Sequence, residues 1–221
     1  MSIGFVLLAA GKGNRFKSAT LKQFCKLRGR PVYEYPLQTA TLSCLFDTII
    51  VVVPAGYNID FPHTVIGGKE RRDSSLAGIQ RCMELGIEYV VIHDACRPLV
   101  SERILTDHCR LVKSHGAVNT VIDSPDTINI IEKGCVSAIP PRWQCKLGQT
   151  PQSFSTKLIH EAHLRFPDAD VTDDCGLVLA MGHPVTLVQG EEKNRKLTTQ
   201  GDFEILCHIM KKELNQKKLA V

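Results

Sequence analysis

Several of the strands that this sequence predicts are continuous apolar runs, and this feature constrains the fold more than any other. Such runs lack the alternation of polar and apolar residues that marks a half-exposed strand, and they are typical of strands covered on both faces. The strand candidates are Ile3–Ala9, Thr48–Val53, His63–Ile66, Tyr89–His93, Val118–Ile122 and Val185–Val188. The runs therefore predict a mostly parallel sheet buried between two layers.

Helical segments alternate with these strands along the chain. They are Pro31–Leu45, Arg71–Leu85, Glu102–Ser114, Thr156–Arg165, Asp173–Met181 and Asp202–Leu214. The alternation predicts an α/β fold of the Rossmann-like three-layer αβα type, with helices on both faces of a mostly parallel sheet. No linker or change of composition divides the 221 residues, so we expect a single domain over 1–221.

One segment departs from the alternation and predicts a β-hairpin arm. Asp126–Glu132 and Val136–Ile139 flank the short turn Lys133-Gly134-Cys135, and the whole insertion covers about 124–148. An isolated two-stranded hairpin is only marginally stable in water, so the arm needs a surface to pack against. A second copy of the chain is the simplest candidate, and we therefore expect a homodimer.

Composition excludes several other classes of protein. The net charge of +4 is mild and the basic residues are dispersed, so we expect no nucleic-acid partner. The nine cysteines are odd in number and form no C-x-x-C pair, which argues against a disulfide scaffold. No stretch approaches the roughly twenty apolar residues of a membrane span, so we expect no membrane partner and a cytoplasmic protein.

The first strand ends in a glycine-rich loop that predicts an anion site. Gly11 and Gly13 let the backbone N–H groups approach phosphate oxygens, and Arg15 and Lys22 supply positive charge. The same glycines also suit an ordinary strand-to-helix turn, and the loop alone does not separate the two interpretations.

Charged or glycine-rich loops follow other predicted strands too. They are Gly67–Arg71, His93–Pro98 and the segment from Asp123 onward. In open parallel sheets ligands bind beyond the carboxyl ends of the strands, so these loops predict one shared site at that edge.

The motifs as an ordered set resemble a known family over residues 3–205. They are Leu8-Ala9-Ala10-Gly11-x-Gly13-x-Arg15 with Lys22-Gln23-Phe24, Gly67-Gly68-x-x-Arg71-x-x-Ser74, His93-Asp94-Ala95-x-Arg97-Pro98, Asp126-Thr127-Ile128, Gln149-Thr150-Pro151-Gln152-x-Phe154, Thr172-Asp173-Asp174 and Asn194-x-Lys196-Leu197-Thr198. The chain resembles the 2-C-methyl-D-erythritol 4-phosphate cytidylyltransferases of the non-mevalonate isoprenoid pathway, which are nucleotidyltransferases.

This resemblance implies a reaction of CTP with a sugar-alcohol phosphate that gives a CDP-alcohol and pyrophosphate. The acceptor phosphate is already largely ionised near neutral pH, so positioning and charge stabilisation replace a general base. A Mg²⁺ ion is implied as cofactor, bound mainly through the CTP phosphates and without a metal-ligand cluster of the protein's own.

Site roles carry over by matching position. Arg15, Lys22 and Lys196 match the cations that stabilise the triphosphate and the transferring phosphorus, which makes them the predicted catalytic residues. The predicted nucleotide-binding residues are Ala9, Ala10, Gly11, Gly13, Gly68, Lys69 and Ser74. For Gly68 and Ser74, a Gly-Gly turn before a helix is the structural alternative.

The acceptor residues are likewise implied by the resemblance. They are Asp94, Arg97, Thr127, Arg142, Thr150 and Thr172. Thr127 and Arg142 match residues that reach the partner subunit's site from the arm. Arg97 is equally suited to an ion pair that holds its loop, and both Thr150 and Thr172 to a turn or helix cap.

Two positions depart from the family pattern. Leu21 replaces the usual proline before Lys22, and Arg195 places a guanidinium at a position that is commonly apolar. Acceptor identity is the weak point of the resemblance, and a cytidylyltransferase for another alcohol phosphate, such as ribitol 5-phosphate, is the nearest alternative. A non-catalytic nucleotide-binding module is the alternative from another class.

Overall fold

The structure is a computed structural model that describes residues 1–11, 13, 16 and 20–219, excluding the side chains of 214–219. Its strands are β1 (Ile3–Leu8), β2 (Lys26–Leu27), β3 (Arg30–Pro31), β4 (Thr48–Val53), β5 (Thr64–Ile66), β6 (Tyr89–Asp94), β7 (Ala117–Asp123), β8 (Ile130–Glu132), β9 (Cys135–Ala138), β10 (Lys146–Ser155) and β11 (Thr186–Gln189). Its helices are α1 (Glu34–Ser43), α2 (Arg71–Glu84), α3 (Glu102–His115), α4 (Thr156–Arg165), α5 (Asp174–Ala180) and α6 (Gln200–Leu219).

A seven-stranded sheet forms the centre of the molecule, in the order β11-β7-β10-β6-β1-β4-β5. Strand β10 runs antiparallel to both of its neighbours, and the other neighbouring pairs are parallel. The predicted α/β class and the mostly parallel sheet are therefore confirmed.

The continuous apolar runs are explained by two separate cores, one on each face of the sheet. In β1, Val6 and Leu8 pack with residues of α2, α4 and α5, whereas Phe5 and Leu7 pack with residues of α1 and α3. Both faces are shielded from water, so polar positions along this strand would bury unpaired groups. Burial on both faces fixes β1 at the centre, where its carboxyl end opens into the site.

The sequence prediction missed β10, the only described antiparallel strand of the main sheet. Gln149, Thr150 and Gln152 are polar although they are buried, and Pro151 cannot donate a hydrogen bond within a sheet. The pairing with β7 shifts register between Gln149 and Gln152 and so accommodates the proline. Polar residues inside a central strand hide the apolar signal on which the prediction depended.

The first predicted helix begins later than expected. Pro31 belongs to the small β2–β3 hairpin, whose turn has positive φ at Arg28 and Gly29, and α1 starts only at Glu34. Pro31 opens the predicted helix Pro31–Leu45, but in the structure it is a residue of the short strand β3.

The predicted arm is present as a separate two-stranded sheet, although its first strand is shorter than predicted. Strand β8 starts at Ile130 rather than Asp126, and the turn is the two-residue type with positive φ at Lys133 and Gly134. The arm and the segment after it expose large apolar side chains to solvent. These are Ile130, Ile131, Val136, Ile139, Trp143 and Leu147. Such a surface is typical of a protein contact.

None of the described helices combines the length and apolar character needed to cross a membrane.

A buried histidine joins α3 to the sheet and gives a testable pH dependence. His108 Nε2 donates to Thr120 Oγ1 at 2.7 Å, because that hydroxyl itself donates to the carbonyl of Pro151, and Ser153 Oγ donates to Nδ1 at 2.7 Å. Burial lowers the pKa of His108 to about 3. The imidazole is therefore neutral in the folded protein at all ordinary pH values.

We predict that in His108→Gln the free energy of unfolding depends less steeply on pH in the acidic range. The unfolded histidine takes up a proton below about pH 6.5 while the folded one does not, so stability falls as pH drops from there. Urea unfolding between pH 4.5 and 6.5 should give the variant a slope smaller by up to about 1.4 kcal/mol per pH unit. An unchanged slope would show that His108 is charged in the fold.

Candidate functional site

The carboxyl ends of the central strands converge on a small cavity of about 100 Å³. Ala10 and Gly11 follow β1, Asp94 ends β6, and Ser74 comes from the first turn of α2. The full lining is Leu8, Ala10, Gly11, Lys22, Gln23, Arg71, Ser74, Asp94, Cys96 and Lys196. The predicted convergence of the loops at one sheet edge is therefore seen in the structure.

Gln23 holds the loop after β1 in place. Its buried side-chain amide donates to the carbonyl of Ala9 at 2.6 Å and to that of Gly11 at 2.9 Å. The backbone N–H of Ala9 donates to Val52 of β4 at 2.8 Å. Sequence reasoning quoted Gln23 in a motif but gave it no role. It fixes the backbone against which a ligand in this cavity would lie.

Lys22 lies beside this loop, with its aliphatic stem against Gly13. Gly13 has φ +65°, and a Cβ there would lie 3.2 Å from Lys22 Cγ. The side chain is 9% exposed, and it forms no ion pair with the described residues. Arg15, the predicted partner cation, lies outside the described residues.

The Gly67-Gly68 turn has a packing reason of its own. A Cβ on Gly67 would lie 2.6 Å from Ser74 Oγ, and one on Gly68 would collide with Asp73. Asp73 accepts from the N–H of Glu70 at 3.1 Å in a capping box that starts α2. Ser74 donates to the carbonyl of Glu70 at 3.1 Å and also lines the cavity, whereas Lys69 is exposed on the turn.

A chain of ion pairs crosses the cavity wall. Lys196 Nζ lies 2.6 Å from Asp94 Oδ2, and Arg71 Nε lies 3.1 Å from Asp94 Oδ1. Arg71 Nη1 in turn lies 2.8 Å from Asp174 Oδ2. The structure thus brings together two predicted site residues, Asp94 and Lys196, and adds Arg71 and Asp174, to which the sequence analysis assigned no role.

Both carboxylates of this chain stay ionised. Burial alone would raise the pKa of Asp94, but Arg71, Lys196 and Arg97 outweigh it and hold that pKa well below its usual range. The pKa of Asp174 is lowered to about 2 because Arg71, His163 and Ser75 overcome the same burial cost. The chain of ion pairs therefore keeps two negative and two positive groups close together at neutral pH.

Both terminal nitrogens of Arg97 donate to backbone carbonyls. Nη1 donates to the carbonyl of Asn194 at 2.8 Å and Nη2 to that of Gly148 at 3.4 Å. Among the described residues its partners are carbonyls, rather than the carboxylate that an ion pair would need. Arg97 ties the loop after β6 to the segment that carries Lys196.

The buried side chain of Thr150 holds Asp94 by a hydrogen bond to its backbone. Its hydroxyl accepts from the N–H of Asp94 at 3.1 Å and donates to His93 Nδ1 at 3.1 Å. His93 Nε2 donates to the carbonyl of Arg97 at 3.0 Å, and burial lowers the pKa of His93 to about 4. These bonds occupy the Thr150 hydroxyl, and burial keeps the imidazole of His93 neutral although its bond to the Arg97 carbonyl favours the charged form.

The other predicted acceptor residues lie apart from the small cavity. Thr172 is exposed just before α5 and lines a second depression with Glu70 and Asp173, which shares Arg71 with the small cavity. On the exposed arm, Arg142 Nη2 donates to Thr127 Oγ1 at 3.3 Å, so these two are brought together there.

A larger cavity of about 560 Å³ adjoins the small one and also contains Lys196 in its wall. Arg97, Gln149 and Arg195 line it, and Arg195 Nη1 pairs with Asp202 Oδ1 at 3.1 Å. Asn194 fastens this wall to β10 by donating to Gln149 Oε1 at 3.1 Å and to the carbonyl of Thr150 at 2.8 Å. The arrangement can hold two anionic ligands that meet at Lys196.

Comparison with known proteins decides the family. A family model described as 2-C-methyl-D-erythritol 4-phosphate cytidylyltransferase (IspD) matches residues 3–212. The chain belongs to this family. Members are cytidylyltransferases, which use CTP and a sugar phosphate, so this chain is a nucleotidyltransferase enzyme.

Related proteins match this cytidylyltransferase over nearly its whole length. The ribitol-5-phosphate cytidylyltransferase of Lactiplantibacillus plantarum is 33% identical, over 93% of this chain and 97% of that protein. The 2-C-methyl-D-erythritol 4-phosphate cytidylyltransferase of Syntrophus aciditrophicus is 34% identical, over 94% and 95%. The 4-diphosphocytidyl-2C-methyl-D-erythritol synthase of Anaerococcus prevotii has a solved structure with TM-score 0.82 and 28% identity, covering 95% of this chain and 96% of that one.

We predict that Gly11→Ala weakens CTP binding without weakening the fold. A Cβ at Gly11 would meet no atom of the described residues within 4 Å, so nothing in that part of the chain requires a glycine there. A nucleotide lying against this backbone would meet the added methyl group. The melting midpoint should stay within about 2 °C of wild type while the Kd for CTP rises about tenfold.

Gly67→Ala is the matched control for this prediction, because its Cβ would collide with protein atoms and should lower the melting midpoint. Unchanged CTP affinity in Gly11→Ala would mean that the loop is a steric turn and does not contact the nucleotide.

Proposed function

We propose that this cytidylyltransferase transfers CMP from CTP to 2-C-methyl-D-erythritol 4-phosphate, giving 4-diphosphocytidyl-2-C-methyl-D-erythritol and pyrophosphate in isoprenoid precursor biosynthesis. The observation that carries the proposal is the position of Lys196, which lines both the small cavity beside the glycine loop and the larger cavity next to it. In the proposal CTP binds along the first, whose volume of about 100 Å³ encloses only part of a nucleotide, the acceptor binds in the second, and the reacting phosphates meet between them. Because CTP is an intracellular metabolite, the proposal puts the reaction in the cytoplasm.

The chemistry requires positive charge rather than a base. An acceptor phosphate oxygen attacks the α-phosphorus of CTP, the bond from that phosphorus to the β-phosphate oxygen breaks, and pyrophosphate leaves. His93 is unsuited to act as a base, because both of its ring nitrogens are hydrogen-bonded inside the fold. In the proposal Lys22 and Lys196 stabilise the extra negative charge of the transition state, together with Arg15 by family resemblance.

We also propose a Mg²⁺ ion that is bound mainly through the CTP phosphates. Asp94 supplies a hard carboxylate oxygen in the lining of the small cavity, which is the ligand type that Mg²⁺ prefers. Arg71 and Lys196 already pair with the two oxygens of Asp94, so phosphate and water would supply most of the other ligands. When bound, the ion would neutralise the triphosphate oxygens.

A second acceptor, ribitol 5-phosphate, is favoured by two observations. A relative with that activity is 33% identical to this chain. Arg195, at a position that is commonly apolar in the family, adds a guanidinium to the wall of the larger cavity. Ribitol 5-phosphate has one more hydroxyl than 2-C-methyl-D-erythritol 4-phosphate and no methyl group, and an extra donor suits the more polar molecule.

We predict pyrophosphate release from CTP with 2-C-methyl-D-erythritol 4-phosphate as acceptor. A coupled assay should give a kcat/KM at least about tenfold above that with ribitol 5-phosphate. One well-placed contact to the preferred acceptor is enough to produce a difference of this size. A higher kcat/KM with ribitol 5-phosphate would contradict the proposed acceptor and show that the enzyme is a ribitol 5-phosphate cytidylyltransferase. If the protein binds CTP but releases no pyrophosphate from it with either acceptor present, a non-catalytic nucleotide-binding module is left as the interpretation.

We propose further that the enzyme is a homodimer in which the arm completes the partner's acceptor site. Trp143, at 76% exposure, and Ile131, at 57%, give the arm an apolar surface that a second copy could cover. Thr127 and Arg142 lie together on this arm, where their hydroxyl and guanidinium could bind a phosphate.

We predict that two inactive variants restore each other's activity when they are co-expressed. Arg142→Ala damages only the arm and Lys196→Gln only the core, so a mixed dimer has one site with both native residues. Random pairing should restore at most about a quarter of wild-type activity.

Lys22→Gln with Lys196→Gln is the matched control, because both residues belong to the same core and no mixed dimer regains a native site. An Arg142→Ala mixture that stays as inactive as this control, or a fully active monomer in solution, would contradict the shared site.

A further inference from the structure

Asp174 lines neither of the two cavities that meet at Lys196, and yet it is joined to that lysine through two other charged residues. It lies 1% exposed in the first turn of α5, on the far side of Arg71 from the cavities. We propose that Asp174 is a positioning residue for CMP transfer, which holds Arg71 so that one oxygen of Asp94 stays available to Lys196. The inference rests on the proposed function of the site.

The ion pairs use two of the three guanidinium nitrogens of Arg71 and both carboxylate oxygens of Asp94, and Arg71 Nη2 has no hydrogen-bond partner among the described residues. Arg71 gives Nη1 to Asp174 at 2.8 Å and Nε to Asp94 Oδ1 at 3.1 Å. Lys196 Nζ takes the remaining oxygen of Asp94, at 2.6 Å. A guanidinium is a rigid fork, so holding one of its ends fixes the direction of the others.

Asp174 is itself fixed from two other helical positions. Ser75 Oγ of α2 donates to Asp174 Oδ1 at 2.8 Å, and His163 Nε2 of α4 donates to the same oxygen at 3.0 Å. All three side chains are buried. Helices α2, α4 and α5 thus converge on one carboxylate, whose second oxygen is left for Arg71.

Without this anchor, Arg71 has an alternative partner close by. A free guanidinium can bind both oxygens of one carboxylate side by side, which is the favoured geometry of such pairs. It would then compete with Lys196 for Asp94 Oδ2 and displace the ammonium from the junction of the cavities. Stability alone is a poor explanation of the network, because a buried ion pair contributes little net stability compared with apolar packing.

Asp174→Asn is the sharpest test. Asparagine keeps the size of the side chain and an oxygen that accepts from Ser75 and His163, but its amide nitrogen cannot accept from Arg71 Nη1. We expect kcat to fall about 50-fold while the KM for CTP changes less than about threefold, since misplacement of a catalytic group affects the rate most.

To separate positioning from structural damage, the effect of Asp174→Asn on kcat is measured both in the wild-type enzyme and in the Lys196→Gln variant. If Asp174 acts through Lys196, adding Asp174→Asn to Lys196→Gln should lower kcat by less than about fivefold, because the group being positioned is already gone. A purely structural role gives the same fold-loss in both backgrounds, and that result would overturn the proposal.

Asp173→Asn is the matched control. Its carboxylate caps α5 by accepting from the N–H of Gly176 at 3.1 Å, and it pairs with Gln152 rather than with Arg71. Asparagine can still cap α5 through its side-chain oxygen but removes one acceptor oxygen from Gln152, so this variant should leave kcat within about twofold of wild type.

The proposal can still be tested if Asp174→Asn does not fold or if the wild-type protein is inactive. If Asp174→Asn does not fold, Ser75→Ala replaces it, since loss of the Ser75 bond at 2.8 Å loosens the same carboxylate. Unchanged kcat in a folded Ser75→Ala variant would then overturn the proposal. If the wild-type protein releases no pyrophosphate with either acceptor, the proposed function is refuted. If wild type and Asp174→Asn turn over at equal rates, the function stands and only the positioning role is refuted.

Discussion

The guanidinium of Arg71 between Asp94 and Asp174 is the interaction on which the rest of the site depends. It joins the end of the central strand β6 to the start of α5, two elements that are separated by much of the chain. Through Asp94 it also sets where Lys196 lies. Because the buried carboxylates of Asp94 and Asp174 each have a cation within hydrogen-bond distance, both stay ionised across the neutral pH range.

The sheet makes this arrangement possible. Strands β1 and β6 are buried on both faces, so their carboxyl ends are held rigidly where Ala10 and Asp94 leave the sheet. Neutral side chains hold these strand ends by hydrogen bonds. Gln23 donates to the carbonyl of Ala9 before the glycine loop, and Thr150 accepts from the N–H of Asp94. The site therefore pairs a preorganised backbone with a few fixed cations, which suits a phosphoryl transfer that needs little more than positioning and charge stabilisation.

Much of the fold could be predicted from the sequence, because long apolar runs and their boundaries depend on local residues. Strand β10 could not, since its buried glutamines hide the apolar pattern. The same limit applies to the site. Motifs identified Asp94, Lys196 and the glycine loop, but Arg71 and Asp174 are 103 residues apart and only the folded chain shows that they pair. For Arg97 and Thr150 the fold adds the hydrogen-bond partners, which are distant in sequence and could not be predicted from it.

A structure of the protein with CTP and Mg²⁺ bound would test the central claim most directly. The account predicts the cytosine and ribose beside Ala10 and Ser74, the phosphates along Gly11 and Gly13, and the ammonium groups of Lys22 and Lys196 within ion-pair distance of the phosphates. It also predicts that Arg71 keeps its contact with Asp174. A nucleotide bound elsewhere, for example in the cavity lined by Arg28, Tyr35 and Lys193, would contradict it.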